Sequence, residues 1–244
     1  MAKVSLAGPV MIAGQDVYTE SATQQMNLGV YAETADGRGF RYCKLGAVAS
    51  VAGKVYQSRA LDATNEQPSG GLGVAAAAVG DTQVTISTSI TLAQNLLAGG
   101  YFSVDVTPGQ GHIYRIQGNT AVAGAAGCVI TLEDPIRVAL TTLSKAIVAG
   151  HPYNGCVIEP GTPTGVIVGV ASHVITAAYY GWMQTHGPAS VLFTGTGVAG
   201  KAVGSLSGGT SGSAAPAIAA TNILGYHMAT GITGEYALIY LTLN

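Results

Sequence analysis

The sequence predicts an all-β protein made of β-barrel or β-sandwich units with an extended N-terminal arm. Three observations carry that expectation. Val84, Ile86, Thr88, Ile90 and Leu92 fall on one face of a run whose other face is Thr85, Ser87, Ser89 and Thr91, and a period of two excludes a helix there. Short β-favouring runs recur every ten residues or so, about the spacing of a barrel or sandwich, divided by Gly, Asn and Pro turns. No window makes a convincing amphipathic helix, because Gly or β-branched residues interrupt nearly every candidate; the best, Leu92 to Ala98, is short.

In chain order, residues 1–34 show small, polar and Gly-rich stretches such as Ala22-Thr23-Gln24-Gln25 and no sustained period, so they are expected to form an arm able to hold a neighbour. Residues 35–244 form the all-β region. After the 84–92 strand, further strands are expected at Tyr101 to Val106, His112 to Gln117, Val129 to Leu132, Arg137 to Leu140, Gly165 to Val170, Ser190 to Phe193 and Tyr236 to Leu243. Asp62 to Gly73 and Ser205 to Ala217 read as loops, the second low in complexity. Ala52 to Gln57 faintly echoes Ala149 to Asn154, and Phe40-Arg41-Tyr42 echoes Tyr114-Arg115-Ile116. A duplication of this kind implies two β lobes, with residues 80–145 forming a distinct one.

Composition narrows the function classes. Charged residues are only 9% of the 244 positions, while glycine supplies 35; an ordinary domain carries roughly a quarter charged residues. A surface so poor in charge disperses badly, so much of it is expected to be covered by neighbours. The ten Lys and Arg are scattered and the net charge is −2, which argues against a nucleic-acid footprint. The opening residues lack the continuous apolar core and cleavage site of a signal peptide. The longest apolar run elsewhere, Val74 to Val79, is far short of the roughly 20 residues that span a bilayer. Cys43, Cys128 and Cys156 form no CxxC and read as small buried hydrophobes in a reducing compartment.

No motif carries chemistry. The string from Gly195 to Ala202 fits GxGxxG and approaches a P-loop. It lacks the hydroxyl after Lys201, the helix that would receive a phosphate, and any Asp or Glu between 202 and 234. It reads as a β-turn. His112, His151, His173, His186 and His227 show no metal-ligand spacing. Ser211 lacks the nucleophile-elbow pattern, and Glu133-Asp134, followed by Pro135, look like a strand-ending turn. Tyr179-Tyr180-Gly181-Trp182 is the one dense aromatic cluster; such a group packs a core, meets a subunit or stacks a sugar. No catalytic, cofactor or metal residue is assigned, and no enzyme is expected.

Residues 36–57, DGRGFRYCKLGAVASVAGKVYQ, place an Asp-Gly turn before an aromatic-Arg-aromatic strand and an Ala-Gly-Lys turn. With AAAAVGDTQVTIS, AGGYFSV, GQGHIYRIQGN, LEDPIRVAL, HPYNGCVI and YYGWMQTHGPASVL, which together span most of the chain after the arm, they resemble virion structural proteins of tailed phages. The resemblance implies capsid decoration of the cement type, with the chain made in the host cytoplasm and carried on the outer surface of the head. The expected partners are the major capsid protein and further copies of the chain, as a homo-oligomer at a local three-fold position, hence a trimer. Neither nucleic acid nor membrane is expected as a partner. The alternatives are another virion role (tail, fibre base or major capsid) or a carbohydrate-binding surface module; a major capsid protein would be expected to carry a long helix, which is not legible here.

Overall fold

The computed structural model describes residues 10–63, 66–68, 70–88, 91–124, 126–205, 210–218 and 222–243. The protein is all-β, with barrel-like and sandwich sheets. It divides into two compact units, one made of residues 1–59 and 152–244 and the other of residues 60–151. The lobe expected at 80–145 lies within the second unit.

The first unit begins with β1 (Val10–Met11), a 3₁₀ turn at Asp16–Tyr18, β2 (Tyr31–Glu33), β3 (Gly39–Leu45) and β4 (Val55–Gln57). The second holds β5 (Leu72–Gly73), β6 (Gln83–Thr88), β7 (Tyr101–Val106), β8 (Ile113–Asn119), β9 (Ala126–Leu132) and β10 (Lys145–Ala149). The chain then returns to the first unit with β11 (Asn154–Ile158), β12 (Ile167–Ala171), β13 (Tyr180–Leu192), β14 (Thr196–Gly197), β15 (Ala202–Ser205), β16 (Ala214–Pro216), β17 (Ile223–His227), β18 (Gly231–Ile232) and β19 (Tyr236–Thr242).

The second unit is a six-stranded antiparallel barrel in the order β5-β10-β7-β8-β9-β6. A bridge between Val74 and Ile86, with Ala75 N–H donating to the Thr85 carbonyl, joins its two ends. Closure removes the open edges a six-stranded sheet would otherwise present. Inward positions follow the period of two: Val84, Ile86, Phe102, Val104, Tyr114, Ile116, Cys128, Ile130, Leu132, Ala146 and Val148 form one core. Ile136 and Leu140 join that core from a loop. The strand expected at Arg137 to Leu140 is absent: the Ile136 N–H goes to the Asp81 carbonyl, the Arg137 N–H to the Tyr114 hydroxyl, and only Leu140 bridges, to Ala77. Leu92 bridges Val122 and residues 94–99 are turns, while Ser89 and Ile90 of the alternating stretch lie outside the described residues.

In the first unit β3, β11, β4, β12 and β13 pair in a ring, since β13 bonds to both β12 and β3. Cys43, Leu45, Tyr56, Cys156, Val168, Ala171, Ile175 and Met183 form the core of this small barrel. β13 is long enough to leave the ring. A register shift between Gln184 and His186, followed by Gly187 at φ +82°, marks the turn-off, and residues 186–192 pair with β19. A second sheet continues β13-β19-β17-β15-β16 over Val191, Phe193, Val203, Leu224, Ala237, Ile239 and Leu241.

Residues 10–34, expected as part of an arm, are folded. β1 pairs parallel to β2 and β2 antiparallel to β3, while Val17 and Ala32 are buried with Phe40, Tyr42 and Trp182. Two- and three-residue strands are too short to show a period, so only their partners reveal them. Residues 1–9 lie outside the described residues, as do 206–209 of the loop expected at Ser205 to Ala217; the remainder of that loop carries β16.

Candidate functional site

The second sheet of the first unit buries one face and leaves the other open. Along β19, Ala237, Ile239 and Leu241 point inward while Tyr236, Leu238 and Tyr240 point outward; on β17, Leu224 and His227 are buried while Ile223 and Tyr226 are exposed. Tyr226 stands directly opposite Tyr240, and Met228, whose N–H donates to the Leu238 carbonyl, extends the row. These six side chains are 38–53% exposed. An antiparallel sheet with one solvated face ordinarily places polar residues there. This face carries large apolar and aromatic ones and no Asp, Glu, Lys or Arg; Pro188 and Ser190 of β13 continue it beside Tyr240 and Leu238.

The face runs into a cleft of about 430 Å³ that shares Pro188, Ser190 and Tyr236 with it. Tyr18, Arg38, Ser172 and Gln184 complete its polar lining. Arg38 is held at 2.8 Å by the Asp36 carboxylate, and the Gln184 amide is turned onto the His186 and Pro188 carbonyls at 3.1 and 2.7 Å. Gly53 has φ +74°, and a Cβ there would run into the Tyr236 ring. A residue without a side chain is what lets that tyrosine lie against the cleft wall.

A second apolar patch stands on the loops between β3 and β4 and between β12 and β13. The Ser50 hydroxyl accepts from the Ile175 N–H at 2.6 Å and donates to the His173 carbonyl at 2.9 Å. That exchange fixes the two loops side by side, and Val48, Val51 and Val174 project from them, 40–70% exposed.

The aromatic cluster singled out in the sequence has a different place. Trp182 and Tyr42 are 3 and 4% exposed, with ring centroids 5.1 Å apart, and Tyr180 stacks on Tyr42 at 6.0 Å. Tyr42 and Trp182 pack a core, while Tyr179 and Tyr180 are half-buried and Tyr180 lines, with those two, a cleft of about 410 Å³. The Gly195 to Ala202 string forms β14, a turn and the start of β15, with no helix to receive a phosphate. Glu133 and Asp134 lie in the bend after β9, Glu133 facing Arg115 at 3.4 Å.

The three cysteines are buried and unbridged. Cys43 and Cys156 come from neighbouring strands, and their thiols touch in the first unit's barrel; that contact, with burial, pushes the Cys43 thiol well above its ordinary range. Among the described residues no group of three or more His, Cys, Asp and Glu side chains is placed to hold a metal ion, and no helix is long and apolar enough to cross a membrane. Burial lowers the pKa of His151 to about 4, with help from Arg115, and lowers those of His173 and His227.

The sequence reading missed Glu159. It follows β11, is fully buried, and has no hydrogen-bond partner for either carboxylate oxygen. Its backbone is fixed, donating to the Val55 carbonyl and accepting from the Gly212 N–H. Burial raises its pKa to about 7. Nothing in the local sequence, Ile158-Glu159-Pro160, marks the position as interior, because chain segments far away in sequence enclose it.

Compared with known proteins, the chain matches no family model, no curated protein and no solved structure.

Proposed function

We propose that this protein is a non-enzymatic capsid decoration protein of a tailed phage, which binds the major capsid protein on the outer surface of the head and works as a homo-oligomer. The observation that carries the reading is the pairing of a chain only 9% charged with two outward apolar patches, the β17–β19 face and the Val48, Val51 and Val174 loops. Isolated apolar side chains on a surface need no explanation, but clusters of them mark places that other molecules cover. A protein repeated over a lattice gains avidity from many modest contacts of this kind. The first unit supplies two such contacts on well-packed strands and pinned loops. Residues 10–34 are part of that unit's fold, so the contact with the head is assigned to the Val48, Val51 and Val174 loops and not to an arm.

The test is to mix purified protein with expanded, undecorated heads and count bound copies by cryo-electron microscopy. Ordered density at symmetry-related positions supports decoration, and bare heads remove it. A second reading, a carbohydrate-binding surface module, is favoured by the cleft lined by Tyr18, Arg38 and Tyr236, with its two exposed tyrosines and anchored guanidinium. Binding on a glycan array that is lost in Tyr236→Ala would support it.

A further inference from the structure

We infer that the outer face of β17 and β19 is where one copy of this protein binds a second copy, face to face across a two-fold axis. The inference takes up the homo-oligomer of the reading above and names its contact. It replaces the trimer expected from a three-fold site with a symmetric pair.

Area and charge point to this occupant. The six exposed side chains of the face present roughly 600 Å² between them, the upper end of the largest patch on a typical monomer. With Pro188, Ser190 and the backbone between them, the face approaches the ~800 Å² per partner of a standard stable interface. No Asp, Glu, Lys or Arg stands on it, and His186 borders it with its Nε2 3.2 Å from the Tyr240 hydroxyl, so a partner with a charged surface would lose hydration there and find no carboxylate, ammonium or guanidinium to pair with. The complement of a neutral, tyrosine-rich sheet face is another neutral face, and the chain possesses this one in every copy. A net charge of −2 opposes association of two copies only weakly.

The composition also fits an interface core. Three tyrosines, a leucine, an isoleucine and a methionine are among the types that anchor interfaces or fill them without charge. Tyrosine hydroxyls can donate or accept, so the same residue on two copies can form a bond across a two-fold axis. The face is carried by β13, β19 and β17, with Leu224, Ile239 and Leu241 packed beneath it, so pairing orders little that is not already ordered. A two-fold contact is self-complementary and closes on itself.

The experiment is sedimentation and mass photometry of the full chain, without heads, over a range of concentrations. Wild type is expected as a two-copy species at micromolar concentration. Tyr226→Glu with Leu238→Glu is expected to raise the dissociation constant about 100-fold or more, whereas Val48→Glu leaves it unchanged. Because the double variant could misfold, hydroxyl-radical footprinting of wild type supplies a second readout, with Tyr226 and Tyr240 protected at high concentration and labelled after dilution. A single-copy or three-copy wild type, a folded double variant that still pairs, or tyrosines labelled equally at both concentrations would overturn the inference. The decoration reading stands or falls separately: a two-copy species that leaves heads bare keeps this pairing and removes that reading, and a single-copy species that decorates heads does the reverse.

Discussion

Glu159 is the residue whose chemistry differs most from its ordinary state. Its carboxyl is buried without a partner, and its pKa is raised to about 7 from an ordinary 4.5. Between those values the folded chain keeps a proton that the unfolded chain has released, so stability falls as pH rises through this window. The full effect is of order 3 kcal/mol. Glu159→Gln keeps the shape and removes the ionisation. The variant is expected to melt several degrees above wild type at pH 8.5 and close to it at pH 4.5, by calorimetry at both pH values. An equal difference at the two pH values would show that the carboxyl does not ionise on folding-linked titration. Burial lowers His227 and thus acts with the opposite sign, removing stability as pH falls below the ordinary histidine range; comparing variant with wild type at each pH cancels that contribution.

The cysteines belong to the same scale. Cys43, Cys128 and Cys156 are 0–1% exposed, and the thiolate is the reactive form. Ellman's reagent is expected to find no fast-reacting thiol in the native protein and three in denaturant. A thiol that reacts at once in the native state would contradict the burial. The inward placing of these cysteines was legible in the sequence, since a small apolar residue amid β-favouring neighbours goes inside; the mutual contact of Cys43 and Cys156 was not, because 112 intervening residues include the whole second unit.

Elements were legible where one face is buried and one is wet. Tyr101 to Val106 was predicted from its pattern and is β7 with the same bounds, and the alternation at 84–88 is β6. Where both faces are covered the period disappears. β13 was expected only as Ser190 to Phe193, because Gln184 and Thr185 look like surface residues and are buried between two pairings. Arg137 to Leu140 was read as strand because Val138 and Leu140 look like core residues, whereas Leu140 enters the core from a loop, beside Ile136. The core of the second unit is expected to tolerate no void: Ile86→Ala removes a fully buried side chain and should cost about 2–5 kcal/mol in urea unfolding. Gly225 makes a different demand, since a Cβ there would overlap the Tyr240 carbonyl. Gly225→Ala is expected to cost roughly 1–3 kcal/mol by forcing β17 from β19, and an unchanged urea midpoint would show that the two strands are not so close.

At the scale of the whole molecule, each unit has its own core, and residues 60–151 leave and rejoin the other unit at only two points in the chain. The excised segment 60–151 is therefore expected to fold alone, giving a β-type circular dichroism spectrum and a cooperative melt; a random-coil spectrum would contradict the partition. Ala52 to Gln57 and Ala149 to Asn154, which echo each other in sequence, lie beside the crossing points, whereas the bounds of the second unit depend on strands too short to read, such as β5. The candidate site was less legible than the fold. Sequence pointed to Tyr179 to Trp182, a conspicuous cluster that is largely interior, while Tyr226, Leu238 and Tyr240 are dispersed along two strands and become one surface only when β17 and β19 pair. Low charge carries the expectation that some surface is covered. The measurement that bears most directly on what covers it is the count of copies on expanded, undecorated heads by cryo-electron microscopy. Decoration predicts ordered density at symmetry-related sites on the outer surface, and heads left bare at saturating protein would contradict it.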